Sequence, residues 1–192
     1  MFDRDGRPLH VAWNYSRAEL IADGAVHVAG LVLAVVGAVA LVALAAVNAS
    51  PREAAAVAIY AVALLLLLGM SAAYNMWPVS PTKWWLRRFD HACIFLLIAG
   101  TYTPFMSRFP FGATAVVLFV GVWTVALLGA LTKILLPGRY DRLAIALYLA
   151  LGFSGGLAWD TMSSALPAST VALILAGGLT YTGGVVFHVW HS

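Results

Sequence analysis

The stretch AVVLFVGVWTVALLGAL, residues 115–131, contains no charged side chain and no alternation of polar and apolar residues. Residues 61–70, AVALLLLLGM, have the same character. Apolar runs of this kind are typical of transmembrane helices, which need ~20 such residues to cross a bilayer. A membrane β-barrel would instead require alternating segments of about 10 residues. The sequence therefore predicts an all-α fold, a polytopic transmembrane helix bundle.

The composition extends this prediction to the whole chain. Of 192 residues, 62% are hydrophobic and 10% are charged, whereas a soluble domain has about 25% charged residues. Breaks at Pro, Gly, Asn and Ser separate the predicted spans, which are about 20–47, 54–76, 91–108, 112–136, 141–160 and 166–189. Residues 1–18 are predicted to be a polar N-terminal segment, without a cleavable signal peptide, ahead of a bundle over 19–192.

The basic residues predict the orientation in the membrane. Those on the side of the N-terminus are Arg4, Arg7, Arg17, Lys83, Arg87, Arg88, Lys133, Arg139 and Arg142, and those on the opposite side are Arg52 and Arg108. Cytoplasmic loops are rich in Lys and Arg. We therefore expect the N-terminus to lie in the cytoplasm. Because the positive charge follows the membrane sides, it predicts no binding of nucleic acid.

Ionisable and polar residues inside spans are costly and suggest a functional site. Glu19, Asp23 and His27 recur every four residues in the first span, so they lie along one helical stripe. The macrodipole at a helix start explains Glu19 well but His27 poorly. Ser71 and Asn75 share one face at the end of the second span.

Asp90 and His91 stand at the predicted start of the third span. Taken alone, Asp90 suits a helix N-cap and His91 an interfacial histidine. The topology adds a second interpretation, because Asp23, Ser71, Asn75 and Asp90 should all lie near the cytoplasmic face. The sequence thus leaves open a structural polar network or a working site. His188 and His191, at the inner end of the sixth span, are expected at the same level.

A metal site is one possible use of this cluster. The residue types that bind zinc are supplied by six candidates: Asp23, His27, Asp90, His91, His188 and His191. No two of these histidines have the i, i+4 spacing that places two imidazoles on one helical face. The spacing therefore does not choose between a metal site and a hydrogen-bonded cluster.

Three segments carry a family resemblance. They are SAAYN at 71–75, RRFDHACIFLLIAGTYTPF at 87–105 and GGLTYTGGVVF at 177–187. Together with Glu19, Asp23, His27 and Gly30, they resemble the hemolysin III proteins, relatives of the progestin and adipoQ receptors. The resemblance extends from about residue 17 to 189. It implies a seven-helix bundle of the bacterial inner membrane with a cytoplasmic N-terminus.

The resemblance also implies a zinc site, because the wider superfamily includes alkaline ceramidases. Their site combines a Ser-x-x-x-His motif, an Asp on the third helix and two His on the last helix. Ser71 and Asp90 match, which makes them the candidate catalytic residues: Asp90 as base or orienting group, Ser71 as hydrogen-bond donor. Asn75 occupies the expected His position. The chain is expected to lack the seventh helix.

Three functions follow from these observations. The first is a hemolysin III-type membrane protein with a channel-forming, cytolytic or membrane-homeostasis role. The second is a zinc-dependent membrane lipid hydrolase, and the third is a non-catalytic, receptor-like membrane module. In each case the expected partner is membrane lipid, and zinc is the cofactor that the resemblance allows.

Overall fold

The computed structural model describes residues 16–110, 112–136 and 140–190, apart from the side chains of 142 and 187–190. Every regular element in these ranges is helical. Within the same ranges, six segments are long and apolar enough to cross a membrane. The predicted class, a polytopic helix bundle, is therefore confirmed.

Seven α-helices make up these six segments. They are α1 Arg17–Asn48, α2 Pro51–Met76, α3 Pro81–Ser107, α4 Ala113–Leu135, α5 Asp141–Phe153, α6 Trp159–Ala165 and α7 Ala168–Trp190. A 3-10 turn over Ser154–Ala158 joins α5 to α6, and the fifth spanning segment, Leu143–Ala165, contains parts of both. The predicted first, second, fourth and sixth spans differ by at most three residues from α1, α2, α4 and α7. The fifth was predicted over 141–160, whereas the segment continues to Ala165.

Reciprocal caps begin the first two helices. Glu19 N donates to Ser16 Oγ at 3.2 Å, and Ser16 N donates to the Glu19 carboxylate at 2.7 Å. Ser50 and Glu53 repeat this capping box at the start of α2, with Pro51 as its first residue. Both pairs satisfy backbone amides that a helix start leaves without partners. Glu19 is therefore a capping residue rather than part of a site.

The third helix begins at Pro81, ten residues before the predicted start at 91. Ser80 caps it, its hydroxyl accepting from Lys83 N at 3.3 Å. Proline suits the first helical position because its missing N–H would have no partner there. Asp90 consequently lies inside α3, and the prediction that Asp90 caps the helix start is wrong.

Consecutive helices pack against each other from α1 to α4, and α5 packs on both α3 and α4. Within the described residues, α1 contacts α2 alone, so it forms one edge of the array. The buried core lies among α3, α4 and α5, around Phe95, Val122, Ala126, Tyr148 and Leu151. This arrangement leaves the polar ends of α1, α2 and α3 side by side.

The fifth spanning segment is interrupted where Ser154, Gly155 and Gly156 follow one another. Backbone groups freed at membrane depth must find partners inside the protein. Tyr102 of α3 supplies them: its hydroxyl donates to Leu151 O at 2.8 Å and accepts from Gly155 N at 2.7 Å. A single side chain thus bridges the break between α5 and the 3-10 turn.

We expect Tyr102→Phe to lower the free energy of unfolding by about 1–3 kcal/mol, because the Gly155 amide then loses its acceptor. Unfolding by denaturing detergent in mixed micelles measures this change. Tyr60→Phe on α2 is the matched control, and the two variants having equal stability would contradict the assignment.

Candidate functional site

Three of the predicted residues meet at one end of the bundle. Asn75 Nδ2 of α2 lies 3.1 Å from His27 Nε2 of α1. His27 Nε2 is also 3.4 Å from Ser71 Oγ. Asn75 lies one helical turn after Ser71, so both project toward α1. The structure therefore joins the two polar faces that the sequence indicates separately.

The partners of His27 determine which ring nitrogen carries the proton. Nδ1 lies 2.7 Å from the backbone carbonyl of Asp23, and a carbonyl only accepts, so Nδ1 donates. Asn75 Nδ2 donates to Ser71 O at 2.9 Å, which fixes the amide orientation. The same NH₂ group then donates to Nε2. His27 is consequently held as the Nδ1–H tautomer, with its Nε2 lone pair engaged by an amide.

Asp90 of α3 completes this group. Its carboxylate lies close enough to Ser71, His27 and Arg87 to interact with them. All four side chains are half-buried. We refer to His27, Ser71, Asn75 and Asp90 as the polar cluster. Its members come from three helices, and α2 contributes two of them.

The other predicted candidates in the described residues lie outside the polar cluster. The Asp23 side chain is exposed, and it interacts electrostatically with Lys83. His91 follows Asp90 on α3 and is therefore turned about 100° around the helix. Its backbone oxygen accepts from Tyr148 on α5, and its side chain interacts with Asp141.

Two candidates cannot be placed in the site. His191 and the side chain of His188 lie outside the described residues. The predicted grouping of these histidines with Asp90 therefore stays a prediction.

Sequence reasoning missed the role of Lys83, which it assigned to a loop. Lys83 is 3% exposed, and its Nζ donates to Asn75 O at 2.9 Å and to Trp77 O at 3.0 Å. Carbonyls at a helix end have no intrahelical partner. Lys83 therefore caps the end of α2 and anchors the backbone of Asn75 to α3. The Ser80-Pro81 pair was the signal for an early helix start.

A second polar group lies on the other side of α3. Asp141 Oδ1 accepts from Lys133, and Asp141 Oδ2 is 3.6 Å from Arg87. Burial raises the pKa of the Asp141 carboxyl, but the hydrogen bond from Lys133 and the charges of Lys133 and Arg87 outweigh it, so the pKa is lowered. Asp141, which precedes the fifth spanning segment, is therefore ionised at neutral pH.

The zinc site implied by the resemblance does not fit the side chains of the polar cluster. Structural and catalytic zinc sites take at least three protein ligands from His, Cys, Asp or Glu. No group of three or more such residues able to hold a metal occurs among the described residues. Asn75 also turns its NH₂ group, a donor, toward the Nε2 lone pair that a metal would need.

Comparison with known proteins gives matches over most of the chain. A family model described as "Haemolysin-III related" matches residues 18–192. The hemolysin-3 homolog of Bacillus subtilis is 33% identical over 172 residues, covering 90% of this chain and 81% of the relative. Hemolysin-3 of Bacillus cereus is 29% identical over 177 residues, covering 91% and 80%.

A more distant relative is human. The monocyte to macrophage differentiation factor is 29% identical over 136 residues, covering 67% of this chain and 55% of the relative. No solved structure matches the chain.

Because Asn75 donates to His27, we predict that one substitution at position 75 creates a zinc site. Asn75→His replaces the amide donor with a second imidazole beside His27 and Asp90, which gives three zinc-binding side chains. We expect elemental analysis to find about one zinc per chain in this variant and no stoichiometric zinc in the native protein.

Asn48→His, at the far end of α1, is the matched control and should bind no zinc. Stoichiometric zinc in the native protein, or none in Asn75→His, would contradict this account of the polar cluster.

Proposed function

Because the chain belongs to the hemolysin III family of membrane proteins, we propose that it serves membrane homeostasis by binding a lipid polar group at the polar cluster. The observation that carries this proposal is the convergence of His27, Ser71, Asn75 and Asp90 from three helices at one end of the bundle. Half-buried polar groups at membrane depth suit a ligand that enters from the lipid.

The chemistry of the polar cluster favours a ligand that donates hydrogen bonds. His27, Ser71 and Asn75 are engaged with one another, which leaves the further acceptor positions of the Asp90 carboxylate to receive a ligand. A carboxylate inside a membrane is costly unless it is paired. A lipid ammonium or hydroxyl group supplies that pairing. Phosphatidylethanolamine, with three N–H donors on its head group, fits this requirement.

The distribution of charge indicates in which leaflet of the membrane the polar cluster would meet its ligand. Lys83, Arg87 and Arg88 begin α3 near the polar cluster, whereas Arg52 and Arg108 lie at the opposite ends of α2 and α3. The excess of basic residues supports a cytoplasmic location for the polar-cluster end. The proposed ligand is therefore a lipid of the cytoplasmic leaflet of the bacterial inner membrane.

A pore is less well supported than lipid binding. The buried residues of α1 and α2 are all alanines, namely Ala34, Ala38, Ala45, Ala56, Ala61 and Ala63. A water-filled channel needs a lining of polar groups across the membrane. In the described part of α1 and α2, the buried surface beyond the polar cluster offers none.

The test compares two lipids that differ only in their N–H donors. We expect native mass spectrometry to show preferential binding of phosphatidylethanolamine over phosphatidylcholine, whose ammonium is fully methylated. Asp90→Asn should reduce this preference roughly tenfold, since a hydrogen bond to a charged group contributes about 1.5–3 kcal/mol. Asp160→Asn, an exposed carboxylate on α6, should leave it unchanged.

Liposomes loaded with a small dye test the alternative. Vesicles that contain the protein should retain the dye. Dye release, or equal binding of both lipids to the native protein, would contradict the proposal.

A further inference from the structure

A groove separate from the polar cluster runs between α4 and α5. Its volume is about 240 Å³. The residues that line it include Val125, Leu128, Thr132, Lys133, Leu143 and Leu147. Most of these side chains are apolar, so the groove suits a hydrocarbon chain. The open side faces the membrane, where Leu128 and Leu143 are more than half exposed.

The polar groups of the groove lie at one end only. Thr132 and Lys133 belong to the last turn of α4, and Tyr140 precedes α5. Val125 and Leu147, deeper along the same helices, mark the apolar end. From Val125 to Lys133 the helix advances about 12 Å. The groove therefore changes from polar to apolar along the membrane normal. A lipid has the same order, with its head group at the membrane surface and its acyl chain deeper.

The polar end carries more positive than negative charge. Lys133 is 4% exposed and is bonded to Asp141, which Arg87 also contacts. Arg88 donates to Ile134 O at 3.3 Å beside Lys133, while its Nε is buried without a hydrogen-bond partner. Two cations thus contact one carboxylate, and Arg88 adds a third positive charge at the end of α4. A buried cation that is incompletely neutralised favours an anionic ligand.

We propose that this groove binds an anionic glycerophospholipid, with an acyl chain between α4 and α5 and the phosphate at Lys133. The charge selects the lipid class: each Lys or Arg near the membrane surface favours an anionic lipid by a roughly fivefold change in affinity. The neighbouring Trp85 ring, 4.0 Å below the Arg88 guanidinium, holds that cation at the interface. The groove offers cations to its ligand, whereas the polar cluster offers a carboxylate that accepts hydrogen bonds.

The experiment offers the purified protein equal amounts of phosphatidylglycerol and phosphatidylcholine in detergent. Native mass spectrometry counts the bound lipids, and a thermal melt measures the stabilisation by each. We expect phosphatidylglycerol to be retained preferentially and to raise the melting temperature more. Lys133→Gln should lower this preference about fivefold, because it removes the buried charge but keeps Arg87 beside Asp141.

A second variant keeps the test informative if Lys133→Gln fails to fold. Leu143→Trp places a large side chain in the groove at an exposed position and changes no charge. It should abolish selective retention of phosphatidylglycerol. Leu131→Trp, equally exposed on α4 but outside the groove lining, is its matched control and should retain the lipid.

To distinguish the two lipid sites, each variant is also tested with the lipid of the other site. Asp90→Asn should preserve the preference for phosphatidylglycerol, and Lys133→Gln should preserve binding of phosphatidylethanolamine. Equal retention of phosphatidylglycerol and phosphatidylcholine by the native protein would overturn the proposal. A dimer that Leu143→Trp dissociates would also overturn it, because the groove would then belong to a second copy of the chain.

Discussion

The lack of hydrogen-bond partners in hydrocarbon is the constraint on which this structure depends. Each polar group carried into the membrane must find a partner within the protein. Lys83 satisfies the carbonyls at the end of α2, and Tyr102 satisfies the broken backbone between α5 and the 3-10 turn. Both residues belong to α3. Side chains of α3 therefore satisfy backbone groups of its neighbours, which fits its position between them.

Most of the fold could be predicted from the sequence, because apolar length and helix-breaking residues are local signals. One exception is the break in the fifth spanning segment, which was predicted as a single span over 141–160. The other is the start of α3, where Lys83, Arg87 and Arg88 were predicted to lie between two spans. Two of these charges have partners in the fold: α2 carbonyls accept hydrogen bonds from Lys83, and Asp141 pairs with Arg87. Periodicity along one chain segment contains no information about such partners.

The polar cluster was predictable in part, since Asp23 and His91 were also candidates and lie outside it. Topology alone placed Ser71, Asn75 and Asp90 at one level, and the stripe on α1 indicated His27. It did not reveal that Asn75 donates to His27, since that contact depends on how α1 rotates against α2. Asp90 and His91 were grouped because they are adjacent in sequence. On a helix, adjacent residues face different neighbours, and these two serve different polar groups.

The bridge made by Tyr102 ties the shape of one span to a residue of another. The stretch Leu143–Ala165 does not satisfy its own backbone in the interrupted form, because the Gly155 amide relies on a hydroxyl from α3. In hydrocarbon that amide has no other source of an acceptor than the protein. The interruption is therefore stable only while this segment packs against α3, so the shape of the fifth spanning segment is encoded in part outside its own sequence.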